Sequence, residues 1–222
     1  MELYRNPLAG FDDLDGFVVE GDAAVTFPQG RLRLESRRDP AEGQAANLVL
    51  WCPEAFPDGV EISWDFWPVR EPGLAILFFG ARGRGGESVL APSLAPRNGP
   101  YEQYHSGDID AYHVSYFRRM WESERRFHTC NLRKSHGFHL VAQGPDPLPG
   151  VLDSAPPYRV SVTLRGGRVT FSIDGLRCLE WVDDGALGPV LGQGHIGFRQ
   201  MAPLIAEYAN LTIRLMENPE TT

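Results

Sequence analysis

The chain is short of cysteine, of long apolar runs and of positive charge, and each shortage removes a class of protein. Its three cysteines, Cys52, Cys130 and Cys178, are odd in number, widely spaced and form no CxxC pair. That excludes a disulfide framework and a cysteine-rich metal knuckle, and fits reduced, buried thiols in a reducing compartment. The longest apolar run, GLAILFFGA at 73–81, is far short of the roughly 20 residues that span a bilayer. It reads instead as a buried strand, and no membrane partner is expected. Lys and Arg total 21 against 29 Asp and Glu, a formal charge of −8, so the chain lacks the basic face that counterion release demands and no nucleic-acid partner is expected. Residues 1–11 carry no basic stretch followed by an apolar core, which predicts a cytoplasmic protein. Helical periodicity and low-complexity linkers are also scarce.

What is present is a globular composition over 222 residues: 42% hydrophobic, 23% charged and 11% aromatic, with 24 Gly and 18 Pro to make turns. One domain spanning 1–222 is the economical reading. Polar and apolar residues alternate at 31–35, 61–66 and 158–164, the signature of strands with one wet face. Further strands are predicted at 47–51, 74–79, 111–117, 127–133, 138–142, 169–173, 178–181, 195–198 and 207–215, with a helical turn or two at 120–126. Gly166-Gly167 and Asp174-Gly175 accept the positive φ of tight hairpins, so their flanking strands are antiparallel neighbours. Ten or more short strands of irregular spacing predict an all-β sandwich of two antiparallel sheets. The irregular stretch 81–107 is too long for a simple connection and is expected to be functional.

Two groups of segments carry a resemblance. YRVSVTLRGGRVTFSIDGLRCLEW, GHIGFRQM and YANLTIRL in the last third resemble the closing strands of concanavalin-A-like jelly rolls. WCPEAFPDGVEISWDF, GLAILFFGA, QYHSGDIDAYHVSYFRR and FHTCNLRKSHGFHLVAQGPDPLP resemble the bacterial YesU-like family, a domain-of-unknown-function group. The resemblance implies a galectin-like or concanavalin-like jelly roll and a link to breakdown of plant-type polysaccharides. It brings no catalytic residues, and one sandwich hosts lectins, hydrolases and lyases alike.

Five of the six histidines, His105, His113, His128, His136 and His139, fall between 105 and 139 with Asp108, Asp110, Arg118, Arg119, Arg133 and Lys134. Strand alternation puts His113 with Ser115, Asn131 with Arg133, and Glu61 with Asp65 on polar faces. If those faces share a concave cleft, the residues suit a sugar. Acid-base chemistry on a saccharide would use His105 and His113, with Asp108 and Asp110 orienting a histidine or holding a cation. Arg118 or Arg133 would hold an acidic group on the sugar, and Glu61 and Asp65 would contact hydroxyls. Glu61 and Asp65, four residues apart on a strand, are separated by roughly 13 Å, too far for a glycosidase pair. Gln103, His105, Tyr116 and Arg118 are similar to short elements of jelly-roll alginate lyases.

Trp67 and Trp121, near strand ends, are candidates for stacking on pyranose faces. A divalent cation held by His105, Asp108, Asp110 and His113 is a second reading, although no complete ligand signature is present. Structural histidines and turn-forming aspartates are a third. The expected partner is an oligosaccharide, cleaved by a hydrolase or uronate lyase; the alternative is a non-catalytic, galectin-like carbohydrate-binding protein. No oligomeric state follows from the sequence.

Overall fold

The structure, a computed structural model, describes residues 1–217. Its strands in chain order are β1 Glu2–Asn6, β2 Val18–Glu20, β3 Ala23–Thr26, β4 Leu32–Ser36, β5 Leu48–Phe56, β6 Val60–Arg70, β7 Leu74–Gly83 and β8 Ile109–Tyr116. There follow β9 Thr129–Ser135, β10 His139–Pro145, β11 Tyr158–Arg165, β12 Arg168–Ile173, β13 Leu176–Val182, β14 Gly194–Met201 and β15 Ile205–Leu215. The eight-stranded sheet runs β13-β12-β11-β6-β15-β4-β3 with β1 also on β15, and the seven-stranded sheet runs β10-β9-β8-β7-β14-β5-β2. Every pairing is antiparallel. The chain is a two-sheet jelly roll, and no helix among the described residues is long and apolar enough to cross a membrane.

The inner faces follow from alternation. Ile62, Trp64 and Phe66 of β6 meet Tyr112, Val114 and Tyr116 of β8 and Cys130 and Leu132 of β9 in the core. The two-glycine and Asp-Gly turns form as their residues require, with φ of 53° and 77° at Gly166 and Gly167 and 49° and 77° at Asp174 and Gly175. From Leu74 on, the run 73–81 lies in β7, whose first eight residues are all buried. The three cysteines are free and buried.

Several expectations change. The helical turn extends over Glu122–Phe127, so β9 starts at Thr129 rather than 127. Strands β1, β2 and β3 were not visible as alternation, being three to five residues long and mostly exposed or half-buried. The stretch 84–108 folds back over the outer face of the seven-stranded sheet. There Val89, Tyr104 and the outward side chains Val49, Trp51, Phe78, Ala81, Ile109 and Ala111 form a second apolar cluster. Buried Arg199 of β14 fastens this covering segment. It donates to the Gly99 carbonyl at 2.7 Å and lies over the rings of Tyr101 and Tyr104, 4.7 and 5.0 Å from their centroids.

Candidate functional site

Tyr101 of the covering segment borders an open part of the outer face of the seven-stranded sheet, a cleft of about 300 Å³. Its floor is Leu74 and Ile76 of β7, Ser115 of β8, Asn131 and Arg133 of β9 and Met201 of β14. Its walls are Tyr101, Gln44, Phe138 from the β9–β10 turn, and Arg118, Trp121 and Glu124 from the connection between β8 and β9. Trp121 and Phe138 are 52% and 48% exposed, so both rings keep area for a ligand.

Local chemistry sets each of these side chains. The Glu124 carboxylate accepts from the backbone N–H of Met120 at 3.0 Å and of Trp121 at 3.2 Å, closing the start of the short helix α1, Glu122–Phe127, and aiming Trp121. The other oxygen of Glu124 pairs with Arg118 at 2.6 Å, while Arg118 donates to the Thr129 hydroxyl at 2.8 Å. The Asn131 carboxamide lies 2.8 Å from Gln143; turned so that its oxygen faces Arg118, it accepts from both guanidinium nitrogens within 3.3 Å. Arg133 lies over the Phe138 ring, 3.8 Å from its centroid, and donates to the Phe138 carbonyl at 3.1 Å. It has no carboxylate partner among the described residues, and burial lowers its pKa.

The predicted residues therefore divide. Arg118, Trp121, Asn131 and Arg133 come together in the cleft. His105 stands just behind its wall, its ring 4.6 Å from Phe138 and 5.1 Å from Tyr101, with Nδ1 2.7 Å from the Ser106 hydroxyl. Burial lowers its pKa. His113 is sealed beneath the same tyrosine: Nδ1 is 2.6 Å from the Tyr101 hydroxyl, Nε2 is 3.0 Å from the Ser135 hydroxyl, and 1% of the residue is exposed. Burial drives its pKa well below the ordinary value, so the ring is neutral.

The single hollow expected from the polar faces is not what forms. A sandwich has two outer faces, and Glu61, Asp65 and Trp67 lie on the one belonging to the eight-stranded sheet, with β6, while the histidine-rich strands belong to the other. Asp65 pairs there with Arg159 at 3.0 Å and accepts from Asn210 at 2.7 Å, and Trp67 lies under Arg31. Tyr116 points into the core, accepting from the Trp64 indole at 3.1 Å and packed on Phe66. Gln103 is a loop clasp, exchanging hydrogen bonds with Asn98. Asp108 accepts from the Ala95 N–H at 2.6 Å, and Asp110 lines a different pocket with Arg84 and His136. His105, Asp108, Asp110 and His113 thus do not converge, and no group of three or more His, Cys, Asp or Glu suited to a metal exists among the described residues.

Tyr101, Phe138, Glu124 and Gln44 were missed. Tyr101 and Phe138 sit in irregular segments where no alternation orients them; the one available signal was an aromatic residue inside a long loop or at a hairpin tip.

Fold and cleft together define a galectin-like jelly roll with an aromatic and cationic groove on one outer face. The chain belongs to the family described as Domain of unknown function (DUF1961), which it matches over residues 1–213. It is 51% identical over 212 residues to the Uncharacterized protein YesU of Bacillus subtilis (strain 168), covering 95% of this chain and 94% of that one. A Bacillus subtilis protein of unknown function with a galectin-like fold superposes with a TM-score of 0.92 at 50% identity, over 96% of each chain. More distant likenesses share the fold alone. The carbohydrate binding module CBM66 from Bacillus subtilis has a TM-score of 0.56 at 13% identity, over 90% and 95% of the two chains. The potassium-bound carbohydrate recognition domain of Emp46p has 0.63 at 12%, over 98% and 97%.

Proposed function

We propose that this chain binds oligosaccharides in the cleft between Tyr101, Trp121 and Phe138, without cleaving them. The observation that carries the reading is the pairing of half-exposed aromatic rings with hydrogen-bonding groups of fixed geometry in one groove. Aromatic faces pack on the C–H faces of pyranoses, and Asn131, Gln44, Ser115 and the guanidinium groups supply donors and acceptors for hydroxyls. The fold likeness to a carbohydrate binding module and a carbohydrate recognition domain agrees with it.

Arg133 favours a sugar bearing an acidic group, because a partly desolvated guanidinium without a counter-ion gains most from a carboxylate. Binding is favoured over catalysis because the one carboxylate lining the cleft among the described residues, Glu124, is held by Arg118 and by two backbone N–H groups, and the imidazole of His113 is enclosed. A glycosidase needs two free carboxylates across the bond, and a lyase needs an accessible base. His105 at the rim is the group through which a lyase reading would have to run.

Calorimetry against uronate-containing and neutral oligosaccharides of equal length tests the proposal, alongside absorbance of unsaturated uronates and release of reducing ends. Binding that is lost at least about tenfold in Trp121→Ala and Arg133→Gln, with neither product formed, is the expected result. Product formation abolished by His105→Ala would replace the binding reading with the catalytic one.

A further inference from the structure

A second pocket, of about 350 Å³, opens elsewhere in the molecule and is lined by Arg84, Asp110, Lys134, Ser135, His136 and the segment 187–189. Its unusual member is Asp110. The residue is 7% exposed, yet its carboxylate makes no hydrogen bond or ion pair among the described residues, and its oxygens are not closed off from the pocket. The neighbouring polar groups are spoken for. Lys134 pairs with Asp183 at 2.6 Å and donates to the Gly188 carbonyl at 2.9 Å, and the Ser135 hydroxyl holds His113. Arg82, opposite Asp110 in the strand register, lines another pocket beside Ser88 and His195. A largely buried carboxylate that the protein supplies with no donor keeps its acceptor sites for what enters the pocket.

We propose that this pocket binds a neutral polyhydroxylated ligand, a monosaccharide unit, through Asp110. The lining selects that class. Asp110 is an acceptor for two adjacent hydroxyls. Arg84, which is exposed and lines the pocket, is a donor for ring or hydroxyl oxygens. An ammonium ligand meets Arg84 and Lys134, and a metal ion finds no third ligand. A hydroxylated ring meets both the acceptor and the donors. The pocket is separate from the aromatic cleft and shares no lining residue with it, so the two proposals stand independently.

The test is a titration of the whole ¹⁵N-labelled chain with D-galactose, D-mannose, D-glucose and L-rhamnose, in wild type, Asp110→Asn and Trp121→Ala. At least one sugar is expected to shift the amides around 110, 134–136 and 187–189. Asp110→Asn should weaken that response at least about tenfold, since hydrogen bonds to a charged acceptor are lost, whereas Trp121→Ala should keep it. Thermal melting distinguishes a ligand group from a structural one: Asp110→Asn removes an unpaired buried charge and should leave Tm unchanged or raised. No response from any of the four sugars, a response that Trp121→Ala abolishes and Asp110→Asn does not, or a Tm lowered by several degrees in Asp110→Asn would each overturn the proposal. The last result would mean that Arg84 or Arg82 already pairs with the carboxylate.

Discussion

His113 shows how one side chain can belong to a fold and a cleft at once. It cements Tyr101, a cleft wall, to β8 and to Ser135 of β9, and its burial keeps it neutral. Replacing it by Ala strands two buried hydroxyls and opens a cavity, which should cost about 2–4 kcal/mol in chemical denaturation. The sign of its pH effect follows from the lowered pKa. The unfolded chain takes up a proton near pH 6.5 and the folded chain does not, so stability is full above that value and falls as the pH drops below it. His105 and His195 are also lowered by burial and act in the same direction. Melting temperature should therefore decline between pH 7 and 5, and less steeply in His113→Ala.

The clustering of histidines along the sequence was legible; that His105, His113 and His136 would gather around Tyr101 and Ser106 while His128 and His139 stand apart was not. Alternation turns His113 outward beneath Tyr101, and His105, from the covering segment, packs on the same ring. His128 ends α1 with φ of 45°, His136 lies in the turn after β9, and His139 begins the exposed edge strand β10.

At the scale of elements, legibility tracks half-burial. Strands β6, β9 and β11 each pack one face on the core and put polar side chains on the other, so sequence alternation reports their orientation, and Asn131 and Arg133 could be paired from it. The assignment of a strand to one sheet or the other is a property of long-range pairing. That is why Glu61 and Asp65 were grouped with residues on the far side of the sandwich.

Close approach of backbones is equally invisible, and Gly144 of β10 illustrates it. A Cβ there would lie 1.8 Å from the Cys178 carbonyl oxygen of β13, where the edge of one sheet meets the edge of the other. Gly144→Ala should therefore destabilise by about 3 kcal/mol or more, since relief requires moving a strand rather than a side chain. At Gly166, where a Cβ meets open space and only a φ of 53° opposes it, Ala should cost about 1 kcal/mol. Denaturation midpoints of the two variants, measured together, separate collision from backbone strain.

Across the whole molecule the two sheets are joined by more than apolar contact. Lys134, the one lysine in a sequence otherwise supplied with arginine, projects from β9 of the seven-stranded sheet and meets Asp183, just past β13 of the eight-stranded sheet, at 2.6 Å with both side chains 1% exposed. Asp183 also accepts from the Tyr112 hydroxyl of β8 and from the Gly185 N–H at 3.0 Å. Burial alone would push its carboxyl up, but the hydrogen bonds from Lys134, Tyr112 and Gly185 outweigh it and leave the pKa lowered. A lowered carboxylate stabilises the fold above its unfolded pKa, near 4, and loses that contribution as the pH falls through the folded value, a range below that of the histidines.

Lys134→Met keeps the stem and deletes the charge, leaving Asp183 buried with neutral donors only. The expected cost is about 3–5 kcal/mol at pH 7, shrinking as the pH falls below about 4, where Asp183 of the unfolded chain protonates. Lys134→Met with Asp183→Leu should recover much of that loss, because replacing both members of a buried pair by apolar groups restores packing without an unpaired charge. A Lys134→Met cost below about 1 kcal/mol, or one independent of pH, would show that the sheets are held by their apolar core alone.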